Sequence, residues 1–203
     1  DPLDGTREFS EGRDDWAVQV ALWERGALVA GAVALPGRGR TLATQPPPPL
    51  PSRPVAAGPW RIAVSRSRPP ALARHVAREL PGRLLPMGSA GYKVAAVILG
   101  EADAYLHAGG QFEWDSAAPV AVARSTGLHT SRIDGSPVRY NAANPFLPDL
   151  LVCCPELADD LLTVCAGFDS DPDSEASRTT HDDARLPAHP DRDARGRVDT
   201  HLP

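Results

Sequence analysis

Apolar and polar positions alternate from Trp16 to Trp23 (Trp-Ala-Val-Gln-Val-Ala-Leu-Trp) and then fill with apolar side chains. Glu24-Arg25-Gly26 follows as a turn, and Leu28 to Leu35 forms a second apolar run, the pattern of a β-hairpin. Arg38 to Thr44 offers a short third strand. The proline-dense stretch from Gln45 to Pro59 fits neither a helix nor a sheet interior, so it reads as a linker or external loop. From Arg61 onward short strands alternate with helices: a strand at Ile62 to Ser65, a helix at Pro70 to Leu80 and a strand at Leu84 to Met87. A helix at Ser89 to Leu99, a strand at Ala102 to His107 and a helix at Ser116 to Thr126 come next. Leu150 to Cys154 as a strand and Pro155 to Cys165 as a helix close the series, which predicts an α/β arrangement. The chain thus divides into 1–45, a proline-rich link at 46–60, an α/β region at 61–168, and a tail at 169–203.

Composition changes this picture mainly at the C-terminal end. Beyond Phe168 there is no aromatic residue, and burial there cannot offset chain entropy, so the tail is expected to be disordered. Nine acidic and five basic side chains fall in the tail, which leaves the remainder of this −5 chain almost neutral. That balance argues against a nucleic-acid binder. Cys153, Cys154 and Cys165 are too few for a disulfide framework and badly spaced for zinc. Buried structural cysteines in a reducing cytoplasm are the expectation. No apolar run approaches the roughly 20 residues that span a bilayer.

Candidate chemistry sits at Asp1-Pro2-Leu3-Asp4-Gly5-Thr6, where two carboxylates three apart run into a Gly-Thr pair. Pro2 biases Asp1 to an extended conformation, and Gly5 lets the following turn approach a ligand. Hard oxygen ligands beside free N–H groups suit a divalent cation and a phosphate together. Read alone, the same six residues also make an ordinary surface turn. A second segment, Gly110-Gln111-Phe112-Glu113-Trp114-Asp115-Ser116-Ala117-Ala118-Pro119, supplies a third carboxylate that otherwise reads as a helix cap.

DPLDGT followed far downstream by WDSAAP resembles the magnesium-dependent, lithium-sensitive family of inositol monophosphatases and 3'(2'),5'-bisphosphate nucleotidases. Arg7-Glu8-Phe9 is similar to the nucleotidase branch, as is Gly88-Ser89-Ala90-Gly91-Tyr92-Lys93, and Ala102 to Pro119 resembles actinobacterial-type nucleotidases. The resemblance runs from Asp1 to Ala166. It implies a sugar-phosphatase-like fold layered αβαβα. The family's first metal-binding Glu lies upstream of DPLDGT, so the chain is expected to lack the N-terminal helices and part of the first sheet.

By the same resemblance, Asp1, Asp4, Asp115 and the Leu3 carbonyl hold two or three Mg²⁺ ions, and Asp4 and Thr6 serve catalysis, Thr6 by orienting water. The Gly5 and Thr6 amides hold phosphate. Gly88, Ser89 and Lys93 lie near the rest of the substrate, Lys93 as a point charge for a second phosphate. Arg7 and Glu8 are left as a surface pair, and His107 is as much a strand-end side chain as a substrate contact. The implied activity removes the 3'-phosphate of adenosine 3',5'-bisphosphate or its sulfated relative in sulfur assimilation. Inositol-phosphate or fructose-1,6-bisphosphate hydrolysis is the alternative within enzymes, and metal or nucleotide binding without turnover is the alternative outside them. A small phosphorylated substrate is the implied partner, with a homodimer left open.

Overall fold

The two apolar runs that begin at Trp16 meet across a two-residue turn. β1 (Val18–Glu24) and β2 (Ala27–Leu35) pair antiparallel, with Val18 opposite Ala34 and Leu22 opposite Ala30. Arg25 and Gly26 take φ of 52° and 89°, the conformation of a tight hairpin turn whose twist matches that of its strands. β3 (Arg40–Ala43) pairs antiparallel with β2 and completes a three-stranded sheet in the order β1-β2-β3. The computed structural model describes residues 1–53 and 58–168. The tail expected to be disordered lies outside the described residues.

The downstream region forms a second, five-stranded sheet from β4 (Trp60–Ser65), β5 (Gly82–Met87), β6 (Ala104–Phe112), β7 (His129–Ser131) and β8 (Phe146–Cys153). Its order is β5-β4-β6-β8-β7; β4 runs parallel to β5 and β6, and β8 antiparallel to β6 and β7. Four helices serve it: α2 (Ala71–Glu79), α3 (Ala90–Ile98), α4 (Ala117–Thr126) and α5 (Ala158–Ala166), after a short α1 (Thr6–Ser10) near the start of the chain. Both α3 and α4 pack between the two sheets, and α2 packs on the second sheet with α5 against it. The described layers are therefore β, α, β, α. The outer helical layer of the expected αβαβα order has no counterpart among the described residues.

Position in these layers follows from composition. Every residue of α3 from Gly91 to Ile98 is buried, as an all-round apolar helix with sheets on two sides must be. In β4 the neighbours Ile62, Ala63 and Val64 are all fully buried, which requires cover on both faces of the sheet. Among the described residues the first sheet is covered on one face only. Val20 is 67% exposed and Leu22 57%. Residues 1–168 nonetheless form one compact unit, with Ala17, Val33, Leu35 and Leu42 of the upstream region in the same core as β4 and α3.

The structure differs from the sequence expectation in three places. β6 was expected to end at His107 but continues to Phe112, because Gly109 and Gly110, at φ of 110° and 90°, form a bulge and pairing with β8 resumes beyond it. β8 accordingly starts four residues earlier than expected. The short, polar β7 was not expected; it is held by its ladder to β8 rather than by an apolar pattern. The proline-rich link is tied down where Arg53 stacks 3.9 Å from the Trp60 ring centroid and lies 3.4 Å from Asp103. Cys153, Cys154 and Cys165 are buried and unpaired, and burial pushes the Cys154 and Cys165 thiols up to about 11. Inert packing side chains are the result.

Candidate metal centre

The Asp1 to Asp4 segment lies against the start of β1. Gln19 N–H donates to the Asp1 carbonyl at 2.8 Å, and Asp4 and Ala17 exchange backbone hydrogen bonds of 2.9 Å in both directions. Asp1 also closes a turn on itself, its Oδ1 accepting from Leu3 N–H at 2.8 Å. Gly5, at φ 92°, then turns the chain into α1. The third carboxylate arrives from the other motif: Glu113–Asp115 makes a single 3-10 turn between β6 and α4, and Asp115 Oδ2 accepts from Phe112 N–H at 2.7 Å. Asp1, Asp4 and Asp115 are brought together, each with an oxygen within 4.8 Å of the others.

Asp4 is the buried member, 8% exposed. Its Oδ2 accepts from Gln19 Nε2 at 2.5 Å, Ser89 Oγ at 2.6 Å and Gly91 N–H at 2.6 Å; Oδ1 accepts only the Ala90 N–H at 3.2 Å. Among the described residues one oxygen is saturated and the other is largely free. Burial pushes the Asp4 carboxyl above its usual range, with Asp115 adding to the push, while the Ser89 and Gly91 hydrogen bonds and the Lys93 charge oppose it. Three carboxylates this close, one of them desolvated, form a site short of positive charge. Hard oxygen donors with that deficit suit a cation of the magnesium type.

The Gly88–Lys93 segment packs behind Asp4. Ser89, at the unusual φ of 23°, caps α3 by accepting from Tyr92 N–H at 3.0 Å while its hydroxyl proton goes to Asp4. Lys93 is buried, and its Nζ donates to the carbonyls of Gly88 at 2.6 Å and Ser89 at 2.8 Å. Burial lowers its pKa to about 8 against the raising effect of Asp4. Two of its three protons are therefore committed to the loop. Gly88 must be glycine, since a Cβ there would collide with the Glu8 side chain and lie 2.7 Å from the Asp15 carbonyl. Leu3 is half-buried; Thr6 is exposed at the head of α1, and neither its amide nor that of Gly5 has a protein acceptor among the described residues.

Sequence reasoning passed over three side chains of this neighbourhood. Asp15 accepts the Gly88 N–H at 2.7 Å and pairs with Arg66, which also reaches Glu8 at 3.4 Å. Arg7 and Glu8 do not pair with each other as expected: Arg7 bonds Glu11 at 2.9 Å, one turn along α1. Gln19 did leave a signal, a polar residue at a core-facing position of an otherwise apolar strand, flanked two residues away by fully buried Ala17. Beside the carboxylates opens a cleft of about 270 Å³ whose lining includes Asp1, Gln19, Trp23, Trp114, Tyr140 and Asn141. His107 bonds the Gly110 carbonyl at 2.8 Å across the β6 bulge.

Residues 1–162 match the inositol monophosphatase family. The chain is 51% identical over 173 residues to the 3'-phosphoadenosine 5'-phosphate phosphatase of Mycobacterium bovis, covering 82% of this chain and 65% of that protein. It is 48% identical over 182 residues to the protein of the same name in Mycobacterium leprae, covering 81% and 65%. The chain thus spans just under two thirds of the length of these relatives. Among solved structures, CysQ from Bacteroides thetaiotaomicron, a bacterial member of the inositol monophosphatase family, superposes with a TM-score of 0.63 at 25% identity, over 76% of this chain and 68% of that one.

Proposed function

Because this chain belongs to the inositol monophosphatase family, we propose that it carries the metal-binding centre of a phosphatase that removes the 3'-phosphate from a 3',5'-bisphosphorylated adenosine nucleotide. The observation that supports this reading most is the meeting of Asp1, Asp4 and Asp115, from two distant motifs, within 4.8 Å. The same three carboxylates and the Leu3 carbonyl would hold Mg²⁺, two or three ions in number. Magnesium supplies, when bound, the positive charge that phosphate-ester hydrolysis requires and the Lewis acidity that activates water.

The chain's own residues do the positioning. Asp4 is presented with Oδ2 pinned by three donors and Oδ1 holding only the 3.2 Å Ala90 contact among the described residues. The Thr6 hydroxyl orients the attacking water, and the Gly5 and Thr6 amides receive phosphate oxygens. Gly88 and Ser89 form the wall behind Asp4. Lys93, with two protons on loop carbonyls, adds its charge from that wall. A bisphosphorylated adenosine substrate is favoured by the names of the relatives that share about half of this sequence, and by Arg7-Glu8-Phe9 after the metal turn.

Release of inorganic phosphate from adenosine 3',5'-bisphosphate, inositol 1-phosphate and fructose 1,6-bisphosphate, with and without chelator, tests the reading. Chelator-sensitive release, highest for the nucleotide and inhibited by lithium, is the expected result. Metal binding with no release from any substrate would replace it with the binding-only alternative. Faster release from the inositol or sugar phosphate would replace the substrate.

A further inference from the structure

Gln19 is the one long polar side chain on the core-facing side of β1, and it is 3% exposed. Its two ends are in different situations. Nε2 donates to Asp4 Oδ2 at 2.5 Å, whereas Oε1 is buried without a hydrogen-bond partner among the described residues. The amide could not be turned round to relieve this, because Oε1 would then face a carboxylate oxygen. A buried, unmet acceptor costs roughly 1–3 kcal/mol, and an apolar residue of the same length would avoid it. Packing alone therefore gives no account of glutamine at this position.

The surroundings accommodate this amide specifically. A Cβ on Gly91 would fall 2.6 Å from Gln19 Nε2 and 3.2 Å from Asp4 Oδ2, so the bare helix start of α3 leaves the space in which the amide reaches the carboxylate. Through its backbone Gln19 also holds the Asp1 carbonyl, at 2.8 Å. A single residue of β1 thus fixes the backbone of one carboxylate of the cluster and the side chain of another. With Gln19, Ser89 and Gly91 all on Oδ2, the Asp4 carboxylate cannot rotate without breaking three hydrogen bonds, and Oδ1, with only the longer Ala90 contact among the described residues, is left open to a cation.

We propose that Gln19 is a positioning residue of the metal centre: it fixes the Asp4 carboxylate for cation binding. This rests on the reading of Asp1, Asp4 and Asp115 as cation ligands. Outer hydrogen bonds to metal ligands are generally worth 10- to 100-fold in metal affinity. A residue that only packs would change affinity and stability together; here they separate.

The test is Mn²⁺ affinity, by the paramagnetic signal of the free ion, alongside thermal melting in chelator, for the full chain and for Gln19→Met and Asp4→Asn. Gln19→Met keeps the length of the side chain and removes the amide. Its Mn²⁺ affinity should fall roughly 10- to 100-fold while its melting temperature without metal stays close to that of the wild type, because the lost bond to Asp4 and the relieved Oε1 offset each other. Affinity within twofold of the wild type would overturn the role of Gln19 and leave the metal centre standing. A wild type that binds no Mn²⁺, or binds it as well after Asp4→Asn, would overturn both. Should Gln19→Met fail to fold, Gln19→Asn decides: its amide is one methylene too short to reach Asp4, so unchanged affinity would count against the proposal and a loss in its favour.

Discussion

Asp4 and Asp15 stand on either side of the Gly88–Gly91 loop, both buried and both accepting its N–H groups, yet their electrostatic surroundings are opposite. Asp15 holds Gly88 N–H and faces two guanidinium groups, Arg66 and Arg13. Burial alone would raise its pKa, but the bonds from Arg66, Gly88 and Arg13 prevail and bring it down to about 2. Asp4 holds Gln19, Ser89, Ala90 and Gly91 and pairs with no arginine among the described residues; desolvation prevails and its pKa is raised. Lys93, whose charge opposes that rise, is occupied with loop carbonyls. One carboxylate is finished by the fold and the other is left wanting a cation. Burial and hydrogen-bond number alone do not separate a clamp from a ligand; the charge balance does.

Neutralising each carboxylate should therefore act on different properties. In Asp4→Asn the amide oxygen can take the place of Oδ2 and keep its three donors, losing only the weak Ala90 contact, so the metal-free fold should be as stable as the wild type or slightly more so. Cation binding should fall by on the order of 100-fold or more and phosphate release should vanish, read by Mn²⁺ titration and phosphate assay. Asp15→Asn should do the reverse. It leaves Arg66 with a neutral partner and Gly88 with a weaker acceptor, at a cost of about 2 kcal/mol in urea unfolding, with cation affinity changed much less. If Asp15→Asn abolished cation binding as fully as Asp4→Asn, the two would not be distinct in kind.

The pH dependence of stability sharpens the contrast, because the two shifts have opposite signs. Asp15, depressed to about 2 from 3.8, contributes stability that is present above 3.8 and lost as pH falls through about 2. Asp4, raised in the folded state from the same 3.8, contributes stability that is full below 3.8 and lost as pH rises through its folded value. The metal-free wild type should thus gain from Asp4 as pH falls towards 3.8 and lose from Asp15 as it falls further. Denaturation of wild type and both variants at pH 7, 4 and 2.5 in chelator reads this. Asp15→Asn should flatten the acid limb by on the order of 1–2 kcal/mol, and Asp4→Asn should remove the gain that acidification towards 3.8 brings.

How far these features could be read from the sequence depends on the range over which each is determined. The Trp16 to Leu35 hairpin is local, since alternation and a turn dictate it, and the structure reproduces it within two residues. The three clustered carboxylates, two from the Asp1 to Thr6 turn and Asp115, could be singled out because each lies in a compact motif. The burial of Lys93 is signalled by the apolar run Val94 to Ile98 beside it, which marks a helix enclosed on all sides. Asp15 and Arg66 could not be paired in advance, because 51 residues separate them and each alone is an ordinary charged residue of a loop. Gln19 lay between these cases. The strand's alternation places it inward, but only the fold shows that Asp4 is what it meets.

The smallest expected effect separates the two arginines that face Asp15. Arg13 Nε lies 3.1 Å from Asp15 Oδ1, but its side chain is 42% exposed and joined to its partner by a local turn. Arg66 is less exposed and also reaches Glu8, so it ties the 1–15 segment to the end of β4. An exposed pair of the first kind is typically worth about 0.2–1 kcal/mol and weakens with salt. Arg13→Ala should therefore cost no more than that in urea unfolding at low ionic strength, less at 0.5 M salt, with Mn²⁺ affinity unchanged. Arg66→Ala should cost more and keep most of its effect in salt, because it leaves buried Asp15 without its principal partner. Equal losses for the two variants would mean that Asp15 is held by net positive charge in the loop rather than by Arg66 in particular, and the clamp would then be a diffuse field instead of a defined contact.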